Sequence, residues 1–484
     1  MIRYRRIIEV NEQEPIIMSI ASKTSHSPSR EMSLFHLTWP IFLEVLLFML
    51  MGIADTLMLS ALSDNAVSGV GTANQYISIA MLILEVIGNG ASIVVAQYIG
   101  AKSYEAAARI SALSVTLSMA VGLVISAFFF LLNVQLMEAM NLHGETLDYA
   151  VSYIAIVGSS LFLQAVINAV AAIVRVHGFT KEAMLVSLGM NIVHIIGNYM
   201  LIFGKLGAPE MGVEGAAISS VISRALAIVV FFWLMYRIMR VRIMLQYYWS
   251  LSKEYIGKIL KIGVPAAMES VMYQGCQMVF LYYATFLGDH ALAARQYVQN
   301  ISWFIYLFGY SCGLGTAIIV GRLIGANRQD EAYARVWRSI RSVVVITLIG
   351  IVLAVIFRYP IMGMFTNNDD ILELGAHLML YTIALETGRM GNLVLVNSLR
   401  ASGDAKFPFW VGAVTMVGMS LPLGYLLVFQ LDMGLPGIWL AVAADEWIRT
   451  IIMWFRWKSR KWERYGLVKQ GVVEGQPAGT STGA

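Results

Sequence analysis

GNGASIVVAQYIGA (88–101) and GLGTAIIVGRLIGA (313–326) stand 225 residues apart with their glycines aligned, and that register decides the fold. The same offset, without a gap, places Pro40 on Pro265, Glu44 on Glu269 and Asp64 on Asp289. Further along it carries Arg175, Gly178 and Lys181 onto Arg400, Gly403 and Lys406, Gly212 onto Gly437, and Arg224 onto Arg449. Apolar matches are cheap in so hydrophobic a chain, so only Pro, Gly and charged residues count. The chain is a tandem of two equivalent halves. A duplicated membrane bundle points to two lobes around a central pathway, the build of secondary transporters.

Composition places those lobes in a bilayer. The 484 residues are 58% hydrophobic and 13% charged, with mean hydropathy +0.69. Runs such as 117–132 and 342–357 could not stay in water. Spans are expected over 37–62, 66–98, 107–132, 148–174, 183–204 and 212–236, and again over 258–287, 291–321, 335–357, 371–399, 406–430 and 436–457. The short alternating segments of an outer-membrane barrel are missing. The expected fold is an all-α membrane protein, twelve transmembrane helices in two parallel six-helix repeats around a central cavity.

Lys and Arg set the orientation. With odd spans running outward, the outer loops hold only Lys205 and Arg358, and Arg224, Arg295, Arg389 and Arg449 lie within spans. All other basic residues fall on one side, so the positive-inside rule puts both termini in the cytosol of a plasma (bacterial inner) membrane. An even number of spans per lobe makes the repeats parallel. The expected divisions are a disordered cytosolic arm (1–34), an N-lobe (35–240), a linker (241–257), a C-lobe (258–460) and a cytosolic tail (461–484). The arm lacks the apolar core of a signal peptide. The basic and aromatic stretch 237–257 reads as an amphipathic interfacial helix. The net charge of +4 is accounted for by the inside loops and implies no nucleic-acid partner. Cys276 and Cys312 read as small apolar fillers, and the 28 Met residues as ordinary packing.

Chemistry resides in the polar groups inside the membrane, where a charge costs at least ~2.5 kcal/mol and therefore faces an interior or a wet cavity. Glu44 and Asp55 share one face of the first span, about 16 Å apart along it. Measured from the outer ends of their spans, Asp55, Asn198, His194 and Ser220 lie roughly 10, 9, 15 and 12 Å deep. This layer of carboxylate, carboxamide, imidazole and hydroxyl is the candidate ion-coupling set. It suits a proton, and Asp55, Asn198 and Ser220 supply oxygens for Na⁺. The offset pairs Asp55 with Phe280 and Asn198 with Leu423, so ion chemistry concentrates in the first lobe. Asp445, Glu446 and Arg449, and likewise Glu386 and Arg389, stand at helical spacings for mutual neutralisation. Glu44, Glu269, Arg224, Arg295, Glu386 and Arg389 are candidate substrate-cavity residues. Glu85 and Arg295 have no partner in the sequence pattern.

WPIFLEVLLFMLMGIADTLMLSAL (39–62), GNYMLIFGKLGAPEMGVEGAAISSVIS (197–223), IGANRQDEAYAR (324–335) and the turn from Leu399-Arg400 to Gly403-Asp404 resemble the multidrug and toxic compound extrusion (MATE) transporters. The resemblance covers roughly 35–460. It implies twelve helices in two lobes forming a V-shaped cavity, with drug efflux driven by inward H⁺ or Na⁺. Asp55 matches the family's first-helix coupling acid. Asn198 stands where many relatives have Asp, His194 where they often have Asn, and Ser220 where Thr is usual, a departure that tilts the expectation towards H⁺. Arg389 stands near the tenth-helix acid of one subfamily, and Glu269 about one turn before its seventh-helix acid.

Other classes fit less well. There is no G-x-x-x-x-G-K-[ST] loop for an ATP-driven pump and no nucleophile–base or metal spacing for an enzyme. The loop after the second span, GAKSYEAAAR, lacks the signature of the other large parallel-repeat superfamily. A lipid-linked oligosaccharide flippase of the same superfamily is the alternative, its diphosphate met by Arg224, Arg295, Arg389 and Arg449. The sequence points to a cation-coupled antiporter exporting amphiphilic or cationic compounds by alternating access. It is expected to act as a monomer, without cofactor, coupled to H⁺ or Na⁺. Pro40 and Pro265 read as helix starts.

Overall fold

The computed structural model describes residues 33–237 and 243–468. Residues 1–32 of the expected arm (1–34) and 469–484 of the expected tail (461–484) lie outside the described residues. Twelve long helices follow one another. They are α1 (Leu34–Ser60), α2 (Asp64–Gly100), α3 (Tyr104–Glu138), α4 (Gly144–Tyr153 and Leu161–Val176), α5 (Thr180–Phe203) and α6 (Gly212–Arg237). The second six are α7 (Lys253–Thr285), α8 (Asp289–Gly325), α9 (Gln329–Ile356), α10 (Asp369–Ser402), α11 (Lys406–Gln430) and α12 (Leu435–Lys458). Nine of them, counting the bent α4 as one, are long and apolar enough to cross a membrane by composition alone. The remaining three, α7, α10 and α12, carry the buried acids Glu269, Glu386, Asp445 and Glu446 of the second lobe.

The duplication survives in the backbone. Gly178 and Gly403, one offset apart, adopt φ of 97° and 98° at the turns that follow α4 and α10. Both are left-handed conformations in which a Cβ is strained. Pro40 and Pro265 do not start their helices, as expected from the sequence, but lie inside α1 and α7. A proline inside a helix frees the carbonyl four residues earlier. For Pro40 that is His36, whose oxygen accepts from Thr180 Oγ1 at 3.3 Å. A side chain of α5 thus makes good the bond the helix loses.

The stretch between the lobes also differs from expectation. Its described part forms a single 3₁₀ turn, Leu245–Trp249, rather than an amphipathic helix. Ser252 then caps α7 by accepting from the Tyr255 N–H, which ends any helix arriving from upstream. The ring of Tyr247 is buried beneath Arg109, whose guanidinium lies 5.4 Å from its centroid, while Trp249 is exposed.

The lobes meet at the end that carries the basic loops. A Cβ on Gly100 would overlap the carbonyl of Arg322, and one on Gly325 that of Gln97, so α2 and α8 touch backbone to backbone. About three turns higher, Gly90 faces Ile259 and Gly263 of α7, and its mate Gly315 faces Leu34 and Thr38 of α1. Two crossed hydrogen bonds clasp this end. Gln97 Nε2 donates to the Ala401 carbonyl at 2.7 Å, and its mate Arg322 donates to the Val176 carbonyl, the mate of Ala401. Each carbonyl lies in the last turn of a helix, where no N–H of its own helix remains for it. The N–H of Leu467 then donates to Gln97 Oε1 at 2.8 Å, so the segment after α12 closes over one clasp.

Gly325→Val should hold this end apart. With spin labels at Tyr104→Cys and Gln329→Cys, mates in the two adjoining turns, electron–electron resonance should show a longer distance than in the parent. An unchanged distance would mean the backbones need not touch.

Candidate functional site

Helix α1 packs along α5, and the facing residues of α5 recur as Ser187, Asn191, His194 and Asn198, the 4-3-4 spacing of one helix stripe. The two acids of α1 meet that stripe at different heights. Ser187 Oγ donates to Glu44 Oε1 at 3.2 Å. Three turns further out, His194 Nε2 lies 2.6 Å from Asp55 Oδ1, and Asn198 Nδ2 donates to the same oxygen at 2.6 Å. His194 and Asn198 are almost fully buried, whereas the Asp55 side chain is 20% exposed. The carboxylate is therefore held from one side and open on the other.

Proton bookkeeping constrains this trio. At 2.6 Å from an ionised carboxylate, His194 Nε2 must carry the hydrogen it donates, so the Asn198 amide 3.2 Å away cannot also donate to that nitrogen. His194 Nδ1 and Asn198 Oδ1 are buried without partners among the described residues. Both are free to take up a hydrogen, or a donor, when the charge on Asp55 changes.

Ser220 does not join the trio directly. Its hydroxyl donates to the Ala216 carbonyl on its own helix at 3.1 Å. It also interacts with Tyr153, which reaches Asn74 as well and lies within electrostatic range of Asp55 and Arg224. Tyr153 is buried at the end of the first segment of α4, where a π-turn (Ile154–Gly158) and a 45° bend aim it inward. Neither Tyr153 nor Asn74 was a sequence candidate. Their only advance signal would have been Gly158 and the Ser159-Ser160 pair interrupting the span. Ser219 steadies the layer by donating to the His194 carbonyl at 2.8 Å.

Deeper in the bundle the acids are paired. Arg175 Nη1 donates to Glu44 Oε1 at 2.8 Å, and their mates repeat the bond, Arg400 Nη2 to Glu269 Oε2 at 2.7 Å. Arg449 lies 3.6 Å from Glu269 and 3.1 Å from both Asp445 and Glu446. Arg389 meets Glu386 at 2.5 Å and Glu446 at 3.4 Å, and donates to Tyr273. Arg295 is buried near Tyr273, its Nε without a partner among the described residues. In the second lobe Glu269, Glu386, Asp445 and Glu446 are matched by Arg295, Arg389, Arg400 and Arg449. In the first, Glu44, Asp55 and Glu85 face only Arg175 and Arg224, so one negative charge is left over. Phe280, the mate of Asp55, is buried against Gly424, and an apolar ring fills the place where the first lobe has its trio. Among the described residues no group of three His, Cys, Asp or Glu could hold a metal by itself.

Comparison with known proteins bears on what such an arrangement does. A family model described as MatE matches residues 40–200 and 265–426, two blocks set one offset apart. The uncharacterized transporter YisQ of Bacillus subtilis is 40% identical over 435 residues, covering 90% of this chain and 96% of that protein. The probable multidrug resistance protein NorM of Thermotoga maritima is 26% identical over 457 residues, covering 92% and 96%. A solved structure described as the outward-facing conformation of a multidrug resistance MATE family transporter of the MOP superfamily superposes with a TM-score of 0.81 at 19% identity, covering 88% of this chain and 95% of that one. At that identity the likeness shows the fold.

Proposed function

Since the chain belongs to the MatE family of multidrug and toxic compound transporters, we propose that it is an H⁺-coupled antiporter exporting amphiphilic or cationic compounds, with Asp55 as the coupling carboxylate. The observation that carries the reading is the convergence of His194 and Asn198 on one oxygen of Asp55 in the lobe with the unmatched charge. Two N–H donors at 2.6 Å stabilise the ionised carboxylate and occupy one of its oxygens. A Na⁺ ion would need several oxygens at about 2.4 Å, and here Ser220 gives its hydrogen to its own helix while His194 offers nitrogen. A proton needs only the open oxygen of Asp55 or the free Nδ1 of His194.

Alternating access follows from where the lobes touch. With the basic end in the cytosol, the clasps close the cytosolic side, and Asp55 lies in the outer half. Protonation from outside removes the charge that His194 and Asn198 hold. That changes the partners of α1 and α5 and biases the equilibrium between states. Binding of substrate and of protons is then reciprocal. The flippase reading is weaker, because two of its four arginines, Arg389 and Arg449, are already committed to carboxylates.

Purified protein in liposomes, given H⁺ and Na⁺ gradients separately, tests the coupling ion. A pH gradient alone is expected to drive dye uptake against its concentration at least tenfold above the leak, and a Na⁺ gradient at constant pH to do nothing. The opposite result would overturn proton coupling. Transport of a lipid diphosphate, lost on neutralising Arg224, would favour the flippase.

A further inference from the structure

Glu85 is the acid that neither the trio nor the ion pairs use. It lies mid-way along α2 on the line Asn74, Ser78, Glu85, Asn89 and Ser92, whereas Ala73, Ile77, Ala80 and Leu84 pack into the N-lobe core. Its side chain is exposed, about 22 Å from the Gly100 end of the helix. Just below, Gly90 meets α7 and closes the space between the lobes. Glu85 therefore lies about 7–8 Å above the level at which α2 and α7 close on each other. Arg175 is within electrostatic range but gives its hydrogen bond to Glu44, so Glu85 has no ion-pair partner among the described residues.

What faces Glu85 is aromatic. Its mate by the offset is Tyr310, within electrostatic range across the pseudo-twofold axis. From Tyr310 a line of rings climbs α8 along the cavity wall. Tyr306 lies 5.9 Å from Tyr310 in a stacked arrangement, and Trp303 lies 5.1 Å from Tyr306, edge-on and 44% exposed. Around the axis the mated pairs Glu44–Arg175 and Glu269–Arg400 neutralise themselves, leaving Glu85, among the described residues, as the acid there without an ion pair.

We propose that Glu85 and the run Tyr310, Tyr306 and Trp303 form the binding subsite for the charged head of a lipophilic organic cation. The carboxylate neutralises the charge, Tyr310 and the exposed Trp303 hold the apolar body and add cation–π attraction, and Tyr306, whose ring already lies 5.9 Å from the Arg389 guanidinium, backs them. Asp55 and Glu85, the two first-lobe carboxylates without an arginine in contact among the described residues, then divide the work. Asp55, saturated on one oxygen by fixed donors, takes the driving ion; Glu85, with none, takes the cargo. This inference rests on the export reading above.

The test is equilibrium binding of radiolabelled tetraphenylphosphonium to purified protein in detergent, without any gradient. Glu85→Gln is expected to weaken binding at least tenfold and Glu85→Asp to recover it to within about threefold of the parent. Affinity for neutral triphenylphosphine oxide should stay unchanged in both. Glu138→Gln, at an exposed acid on the last residue of α3, should bind the cation as tightly as the parent. Unchanged affinity in Glu85→Gln would overturn the subsite, as would an equal loss of binding in Glu138→Gln. Equal loss of the neutral and cationic probes in Glu85→Gln would show a structural role and also overturn it. Failure of the parent to bind either probe would instead sink the export reading and the subsite with it.

Discussion

Asp55→Asn should abolish proton-driven export, lowering the rate in liposomes by about a hundredfold or more while the protein still folds. The substitution is nearly isosteric and keeps an acceptor oxygen for His194 and Asn198. What it removes is the charge that a proton neutralises, so the two states of the transporter lose the term that distinguishes them. Glu269→Gln is the comparison, since Glu269 is bonded to Arg400 and lies near Arg449. Proton release on substrate binding should vanish in Asp55→Asn and persist in Glu269→Gln. If release were lost only in the Glu269 variant, the first lobe would not be the coupling lobe.

Arg449→Met should be the most destabilising single change in the second lobe. Its guanidinium lies between Glu269, Asp445 and Glu446, all buried. Removing one partner from a buried ionic set costs about 3–5 kcal/mol, because the remaining charges are stranded in low dielectric. The mate Arg224 provides the control, having no acid in ion-pair contact among the described residues, so Arg224→Met should cost far less. Melting temperatures of the two variants in detergent decide the matter. Equal losses would show that the ionic set contributes no more than ordinary packing.

The fold was legible because duplication wrote it twice, and because Gly and Pro mark positions that apolar drift cannot imitate. All twelve spans fall on the twelve helices, and Gly178 and Gly403 share a backbone angle as well as an offset. Glu44 with Arg175 and Glu269 with Arg400 could have been paired from the same matches, since both partners recur together. Other features were not legible for physical reasons. The carbonyl that the proline inside α1 frees is reached by Thr180 of a distant helix, a contact that periodicity does not reveal. Tyr153 enters the polar layer through a π-turn, which shifts the helical phase and so defeats a count at 100° per residue. Gln97 and Arg322 do the same job with different side chains, so a comparison restricted to identical residues passes over them.

Trp457 and Trp462 lie stacked at the clasped end, centroids 4.2 Å apart and ring planes 5° off parallel, both fully buried. The second of them belongs to the segment that reaches Gln97 of the opposite lobe through Leu467. Two indoles held so close and so rigidly couple their electronic transitions, which gives the closed molecule a near-ultraviolet dichroic band that separated rings would lack. If opening of the clasp pulls this segment from Gln97 and disturbs the pair, the change in that band reports it in a cuvette, unlabelled.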